Sequence, residues 1–345
     1  MFESLQIAAT QGGWVWLTFV VSAALIVIAA MQLAKYGDVI AARTNLGGMF
    51  IGVLLLAGAT SLPELLTGIN SIAQGSPSLA AGNFLGSSMF NMFILVILDV
   101  LAGDQRVLRS SRGRHLLSGG FATFICTLVI FFLVSNSVLN KINFMIGWVG
   151  IDSIIIMIMY VIAIYKINED EHEHISTEMT DEELEDVPSL KVGIIGFTAA
   201  ALILIVVSPF MVRAADRIAE ITGLGASFVG SSLVAIVTSL PEMVTSISAI
   251  RIGAADMALG NLFGSNMFNM FGMGIADCFY TGGRFLGEVP DSFIVCGMAG
   301  VMMTAWGLLG NVVKFKRCKI MEFDSIIMTI MYFGGMYLLY VQSKM

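Results

Sequence analysis

Thr60-Ser-Leu-Pro-Glu64 recurs as Thr238-Ser-Leu-Pro-Glu242. Further on, Gly82-Asn-Phe-Leu-Gly-Ser-Ser-Met-Phe-Asn-Met-Phe93 recurs as Gly260-Asn-Leu-Phe-Gly-Ser-Asn-Met-Phe-Asn-Met-Phe271. Both recurrences keep one offset of 178 residues, which Asp38 and Asp216 share. Laid over each other without a gap, 52–99 and 230–277 agree at 24 of 48 positions. At an offset of 172, Asp152-Ser-Ile-Ile155 matches Asp324-Ser-Ile-Ile327, and Ile158-Met-Tyr160 matches Ile330-Met-Tyr332. Chance similarity between apolar stretches aligns leucines and valines; it does not hold Thr, Ser, Pro, Glu and Asn in register. The chain is an internal duplication.

The duplicated units are apolar. Of 345 residues, 57% are hydrophobic and 12% charged, and the mean hydropathy is +0.87. A soluble domain carries roughly twice that charge. Runs long enough to span a bilayer, about 20 residues each, fall near 14–34, 47–73, 79–101, 117–135 and 144–165, then near 192–212, 225–250, 256–280, 291–311 and 321–341. The expected fold is an all-α integral membrane protein of ten transmembrane helices. Its parts are a first five-helix repeat (1–165), an acidic cytoplasmic linker (166–190) and a second five-helix repeat (191–345). With the N-terminus outside, the inner connections hold thirteen basic residues, from Lys35 and Arg43 to Lys319. The outer ones hold only Lys141, Arg213, Arg217, Arg284 and Lys344. That bias sets the orientation, and an odd number of helices per half turns the second repeat upside down. Inverted repeats with interrupted helices near the bilayer centre mark secondary transporters.

The net charge of −7 comes from one segment, Glu169–Asp186, with ten acidic residues and no basic one; the other 327 residues carry 18 Lys+Arg against 15 Asp+Glu. Nucleic-acid binding has no support. The segment reads as a solvated linker with a short helix from about Thr180; it has no EF-hand spacing. Cys126, Cys278, Cys296 and Cys318 show no ligand or disulfide spacing. His115, His172 and His174 lie in polar connections, so the membrane interior offers no imidazole to zinc, to a serine nucleophile or to a proton relay. Gly274-Ile-Ala-Asp277 is not the Gly-x-Gly-Asp of intramembrane aspartyl proteases. The chain is not expected to be an enzyme or to need a cofactor. Its expected partners are membrane lipid and transported cations, with no obligatory protein partner. The N-terminus has Glu3 and no basic stretch before its apolar run, which reads as a retained helix rather than a cleaved signal.

Glu64 and Glu242 fall well inside the second and seventh spans. An ionised carboxylate there costs on the order of 3 kcal/mol, and no Lys or Arg lies in the central part of either span. A proton or a mobile cation is left as compensator. Pro63 cannot donate to the Ala59 carbonyl, nor Pro241 to that of Val237, so main-chain oxygens are released at membrane depth. Thr60 and Ser61 stand four and three residues before Glu64, on its helix face. The third and eighth spans add Ser87 with Asn91, and Ser265 with Asn269, while Gly82/Gly86 and Gly260/Gly264 read as close-packing surfaces. Every donor is a hard oxygen, suited to Ca²⁺, which takes six to eight at about 2.3–2.6 Å, and ill suited to transition metals. Two fixed charges balance one Ca²⁺ or several monovalent cations. The reading is alternating-access exchange of a divalent for monovalent cations, ahead of a passive channel.

These paired Thr-Ser-Leu-Pro-Glu and Gly-Asn-x-x-Gly-Ser-x-x-x-Asn segments resemble the two α-repeats of the sodium/calcium exchangers, within the cation/Ca²⁺ exchanger superfamily. The resemblance implies that Glu64 and Glu242 bind both Ca²⁺ and Na⁺, and that Ser61, Ser239, Ser87 and Ser265 ligate Na⁺. It further implies that the carbonyls of Thr60 and Thr238 help bind Ca²⁺, that those of Ala57 and Ala235 complete outer Na⁺ sites, and that Asn91 and Asn269 line the centre. It implies electrogenic exchange, with more than two Na⁺ per Ca²⁺. Many relatives carry Asp at the position of Asn269; Asn in both copies argues for K⁺ independence. Ala59 and Val237 replace the glycine that commonly precedes Thr-Ser, which narrows the site. No regulatory insert separates the halves. An H⁺/Ca²⁺ antiporter on the same scaffold, with the glutamates titrating, is the alternative. Outside the repeat centre, Asp99 and Asp277 read as helix-end contacts, Asp152 and Asp324 as packing or interface anchors, and the 23 Met and 23 Phe as lipid-facing or core filler.

Overall fold

The computed structural model describes residues 2–44, 57–102, 115–142, 144–172, 187–251, 255–312, 317–318 and 321–344. The first repeat holds α1 (Phe2–Thr44), a helical stretch over 57–60 that breaks at Ser61, α2 (Leu62–Ala73), α3 (Pro77–Ala102), α4 (Leu116–Val134) and α5 (Ile151–His172). The second repeat holds α6 (Leu190–Thr222), α7 (Ala226–Thr238, with a π turn at Gly230–Val234), α8 (Leu240–Arg251), α9 (Ala255–Asp277), α10 (Ser292–Val312) and α11 (Phe323–Lys344). Among the described residues, seven helices are long and apolar enough to cross a membrane, and the bent pair α7–α8 makes eight. The 23-residue α9, partner of α3 in the repeat, and the described part of the second span complete the ten-helix, two-repeat architecture.

The duplication extends to details with no apolar signal. A two-residue hairpin, β1 (Met145–Ile146) with β2 (Val149–Gly150), precedes α5, and β3 (Arg317–Cys318) with β4 (Met321–Glu322) precedes α11, 172 residues on. The first hairpin turns on Gly147, whose φ of +66° suits a residue without a Cβ. It also corrects the expected fifth span, which starts at Ile151 rather than 144. At its other end α5 continues to His172, so the linker is shorter than expected from 166. Lys166 and Glu169, at i,i+3, pair on this last stretch. Residues 173–186, with the short helix expected near Thr180, lie outside the described residues.

Two apolar clusters organise the molecule. The larger joins α3, α4, α5, α9, α10 and α11, with α3 and α9 buried along most of their length. The smaller joins α1 to α6 and touches the rest through Ala59, Leu79, Val229 and Val234. On α1, Phe19, Ser22, Ile26, Ala29, Ala30 and Leu33 are buried, while Leu17, Val20, Val21, Leu25 and Ile28 are exposed. Both faces are apolar at helical spacing, so one packs on protein and the other meets lipid.

Where α3 crosses the π turn of α7, the backbones touch. A Cβ on Gly86 would lie 2.5 Å from Ser231 Cα, and one on Gly82 would lie 2.9 Å from Ser231 N. One on Gly230 would lie 2.7 Å from the Leu79 carbonyl oxygen. Glycine here is a condition of assembly, and it seats α3 against the broken helix that carries half of the site.

Candidate cation site

The breaks in the two spans are copies. Ser61 has φ −90° and ψ 4°, and Ser239 has φ −91° and ψ 5°. This is the sparsely allowed bridge region, entered where the proline two residues later withholds an amide hydrogen. The α7–α8 pair bends by 42° at its break. Three residues after each break stands a glutamate, and Thr60, Ser61, Glu64, Ser87, Asn91, Thr238, Ser239, Glu242, Ser265 and Asn269 are all fully buried.

The hydrogen bonds cross between the halves. Ser61 Oγ donates to Glu242 Oε1 at 2.8 Å, and Ser239 Oγ donates to Glu64 Oε1 at 2.8 Å. Ser61 and Glu64, expected on one helix face, therefore do not meet each other: the break turns the serine onto the opposite carboxylate. Thr60 Oγ1 donates toward Ala57 O (3.2 Å) and Asn261 Oδ1 (3.3 Å), and Thr238 Oγ1 toward Asn83 Oδ1 (3.1 Å) and Val234 O (3.1 Å). Asn83 Nδ2 holds the Glu64 carbonyl at 2.8 Å, and Asn261 Nδ2 reaches Thr245 and Ser246, both at 3.1 Å. Asn83 and Asn261 therefore clamp each broken helix to its opposite number. Sequence reasoning passed over them, although both stand in the repeated Gly-Asn motif.

Ser265 Oγ lies 3.5 Å from Glu242 Oε1, whereas Ser87 Oγ faces the Ala235 carbonyl and Thr238 Oγ1, both at 3.4 Å. The carbonyls of Ala57 and Ala235 sit beside the site but already accept amides, from Ser61 at 3.0 Å and Ser239 at 3.1 Å. Asn91 Nδ2 donates to Asn266 Oδ1 at 3.1 Å. These contacts join Ala57, Thr60, Ser61, Glu64, Ser87, Ala235, Thr238, Ser239, Glu242 and Ser265, whereas Asn269 is buried without a hydrogen-bond partner.

What is left over defines its chemistry. Glu64 Oε2, Glu242 Oε2, Asn91 Oδ1 and both polar atoms of Asn269 are buried without a hydrogen-bond partner. Buried polar groups are ordinarily satisfied, and four of these atoms are oxygens, one on each of the two glutamates and the two repeat-related asparagines. Neither carboxylate has an ion pair among the described residues. Nor do those residues hold any cluster of three or more His, Cys, Asp or Glu that suits a metal. Two carboxylates diluted among hydroxyls and amides fit a cation that must be released again, rather than one that stays.

The polar groups outside the repeat centre form structure instead. Asp277 accepts the amides of Gly150 and Phe285, each at 2.7 Å, and Asp99 accepts Ser325 Oγ at 2.8 Å. The sequence places Arg284 in an outer connection. It is buried and ion-paired to Asp152, and its fork also reaches Asn136 (2.5 Å) and Asn140 (2.8 Å). The described cysteines Cys126, Cys278 and Cys296 are free.

A membrane-embedded inverted repeat with paired carboxylates at its centre defines a secondary transporter, not an enzyme. The family model described as "Sodium/calcium exchanger protein" matches residues 14–166 and 192–341, and the chain belongs to that family. It is 24% identical to the putative antiporter CaxA of Alkalimonas amylolytica, over 93% of this chain and 98% of that one. It is 24% identical to the sodium/calcium exchanger MaX1 of Methanosarcina acetivorans (71% and 77%) and 25% identical to the Ca(2+)/H(+) antiporter ChaA of Bacillus subtilis (70% and 70%). Two solved structures share the fold: native YfkE, with a TM-score of 0.68 at 19% identity (94% and 92% covered), and the sodium-calcium exchanger NCX_Mj, at 0.57 and 21% (93% and 97%).

Proposed function

We propose that this protein exchanges Ca²⁺ for Na⁺ across a prokaryotic-type plasma membrane by alternating access, without K⁺, its N-terminus facing outward. One observation carries the reading: the Ser61–Glu242 and Ser239–Glu64 hydrogen bonds, which leave one unpartnered oxygen on each glutamate. Ca²⁺ between the carboxylates replaces the charge compensation that no basic side chain supplies. The serine hydroxyls and the amide oxygens of Asn91 and Asn269 raise the oxygen count to what Ca²⁺ takes. When Ca²⁺ leaves, Na⁺ ions distributed over the same oxygens keep the buried charge balanced. Asn rather than Asp at 269 leaves no third charge for K⁺.

One observation favours a second reading. Each fully buried glutamate accepts few hydrogen bonds, so a proton on either Oε2 relieves the same deficit and converts the site to H⁺/Ca²⁺ antiport. The relative ChaA is named for that coupling, and MaX1 for the other. Three buried serine hydroxyls against the carboxylates, Ser61, Ser239 and Ser265, favour Na⁺, because a proton needs no coordination shell. The deciding experiment is ⁴⁵Ca²⁺ uptake into proteoliposomes driven by an outward Na⁺ gradient or by an outward H⁺ gradient. Uptake that follows Na⁺ and ignores K⁺ is expected. Uptake that follows only the proton gradient replaces the coupling ion.

A further inference from the structure

Thr304, on α10, is fully buried, and nothing in the sequence marks it. Its hydroxyl has one proton, which it donates to the Gly300 carbonyl at 2.8 Å. Toward any other neighbour it must accept, and the neighbour is Asn266 Nδ2 on α9 at 3.5 Å. A carboxamide held by its nitrogen presents its oxygen on the other side. Asn266 Oδ1 then accepts Asn91 Nδ2 at 3.1 Å, and Asn91 Oδ1 is left buried and unpartnered. The direction of each amide follows from the link behind it, back to the proton that Thr304 gives to its own helix.

Among the described residues, the other half shows no such chain. At the offset of 178, Ser88 stands for Asn266 and Cys126 for Thr304. Ser88 Oγ turns back on its helix, to the Phe84 carbonyl at 3.1 Å. Asn269, the counterpart of Asn91, has neither polar atom held. An amide oxygen attracts a cation and an amide nitrogen, carrying partial positive charge, repels it. The way a buried amide faces thus sets its contribution to binding.

We propose that Thr304 and Asn266 form a positioning relay that locks Asn91 with its oxygen toward the transported cation, while Asn269 remains the amide that turns to suit the ion. The proposal rests on the cation-exchange reading of the site. Removing the acceptor at 304 frees Asn266 to flip, and Asn91 then turns its nitrogen inward.

The test is equilibrium ⁴⁵Ca²⁺ binding to the full-length protein in lipid nanodiscs, with the thermal midpoint as a check on folding. Thr304→Val, isosteric but without the hydroxyl, is expected to weaken Ca²⁺ binding by about tenfold, the lower range for loss of a group that orients a metal ligand. Thr304→Ser keeps the hydroxyl and restores parental binding. Asn266→Ala matches Thr304→Val, and the two together are no worse than either; Asn266→Ala also supplies the result should Thr304→Val not fold. In an Asn91→Ala background, Thr304→Val has no further effect. Unchanged binding in Thr304→Val, an equal loss in Thr304→Ser, or the same additional loss without Asn91 each overturns the relay. Absence of saturable binding in the parent protein, with Glu64→Ala and Glu242→Ala indistinguishable from it, overturns the site reading and the relay with it.

Discussion

At their broken helices the two halves of this protein are interchangeable, and a turn or two away they are not. The breaks at Ser61 and Ser239 share their dihedral angles to within a degree, and the serine-to-glutamate bonds across the centre are both 2.8 Å. Beyond Glu64, α2 is laced to α6. Thr67 and Asn70 both meet Ser208 Oγ, at 3.2 and 3.3 Å; Arg213 donates to Gln74 at 3.2 Å; Ser76 donates to Asp216. Beyond Glu242, Ala30 of α1 occupies the place of Ser208. There the α8 hydroxyls fold back on their own helix, Thr245 to the Pro241 carbonyl and Ser248 to that of Val244, both at 2.8 Å. Symmetry is kept at the paired carboxylates, where the proposed cation would find like donors on either side. It is relaxed along the walls, where the described residues fasten α2 to α6 by side-chain hydrogen bonds and show none between α8 and α1.

The centre of that comparison carries the largest expected effect. Glu64→Ala and Glu242→Ala should each abolish Na⁺-driven ⁴⁵Ca²⁺ exchange in proteoliposomes, and to the same extent, since each removes one of two equivalent charges. Measurable exchange in one variant and none in the other would break the equivalence and assign Ca²⁺ to a single carboxylate.

Next is Arg284→Ala. Asp152 is fully buried, and its arginine comes from the opposite half. Removing the cation leaves an uncompensated buried charge, a loss of about 3–5 kcal/mol. Denaturation in detergent should show it as a large fall in stability, and Arg284→Lys should restore only part, because an ammonium cannot span Asp152, Asn136 and Asn140 together. The residue at the same offset in the first half, Arg106, lies outside the described residues. Parental stability in Arg284→Ala would reduce this pair to a bystander.

Both predictions rest on features of unequal legibility. Glu64, Glu242 and the serines announce themselves, because a polar pentad repeated in an apolar background has no other explanation. Their cross-pairing was hidden: spacing places Ser61 on the face of Glu64, and only the break at Ser61 itself turns it to the other half. Asn83 and Asn261 were visible in the repeat but carried no charge to demand an account. The burial of Arg284 left no sign in the sequence, since a basic residue in a short connection shows no partner until the fold brings Asp152 against it. The expected start of the fifth span at 144 failed because Met145–Gly150 is apolar enough to continue a helix, yet Gly147 turns it into a hairpin.

A moderate effect separates packing from chemistry. Gly86→Ala puts a methyl group 2.5 Å from Ser231 Cα, a backbone atom that cannot rotate away. Overpacking of this kind costs about 1–3 kcal/mol. The expected result is a lowered thermal midpoint with Ca²⁺ affinity near the parent's in the protein that folds. A selective loss of affinity at parental stability would instead place the π turn of α7 in the site.

The smallest expected effect bears most directly on the difference between the walls. Ser208→Ala gives α6 the residue that α1 already has at the equivalent position, and removes the oxygen that Thr67 and Asn70 share. A buried hydrogen bond contributes about 1 kcal/mol net, equivalent to roughly a fivefold change in a two-state population. If the α2–α6 wall must part for ions to enter from the side on which Gln74 and Asp216 lie, the variant favours the conformer open there. A population shift acts in opposite senses on the two faces. Half-saturating ion concentration should fall when ions are offered on the Gln74 side and rise when they are offered on the other. General loosening of the helix moves both in one direction, so transport measured from each face in turn, with protein reconstituted in a single orientation, tells the two apart. A change of equal sign on both faces leaves the asymmetry of the walls as packing alone.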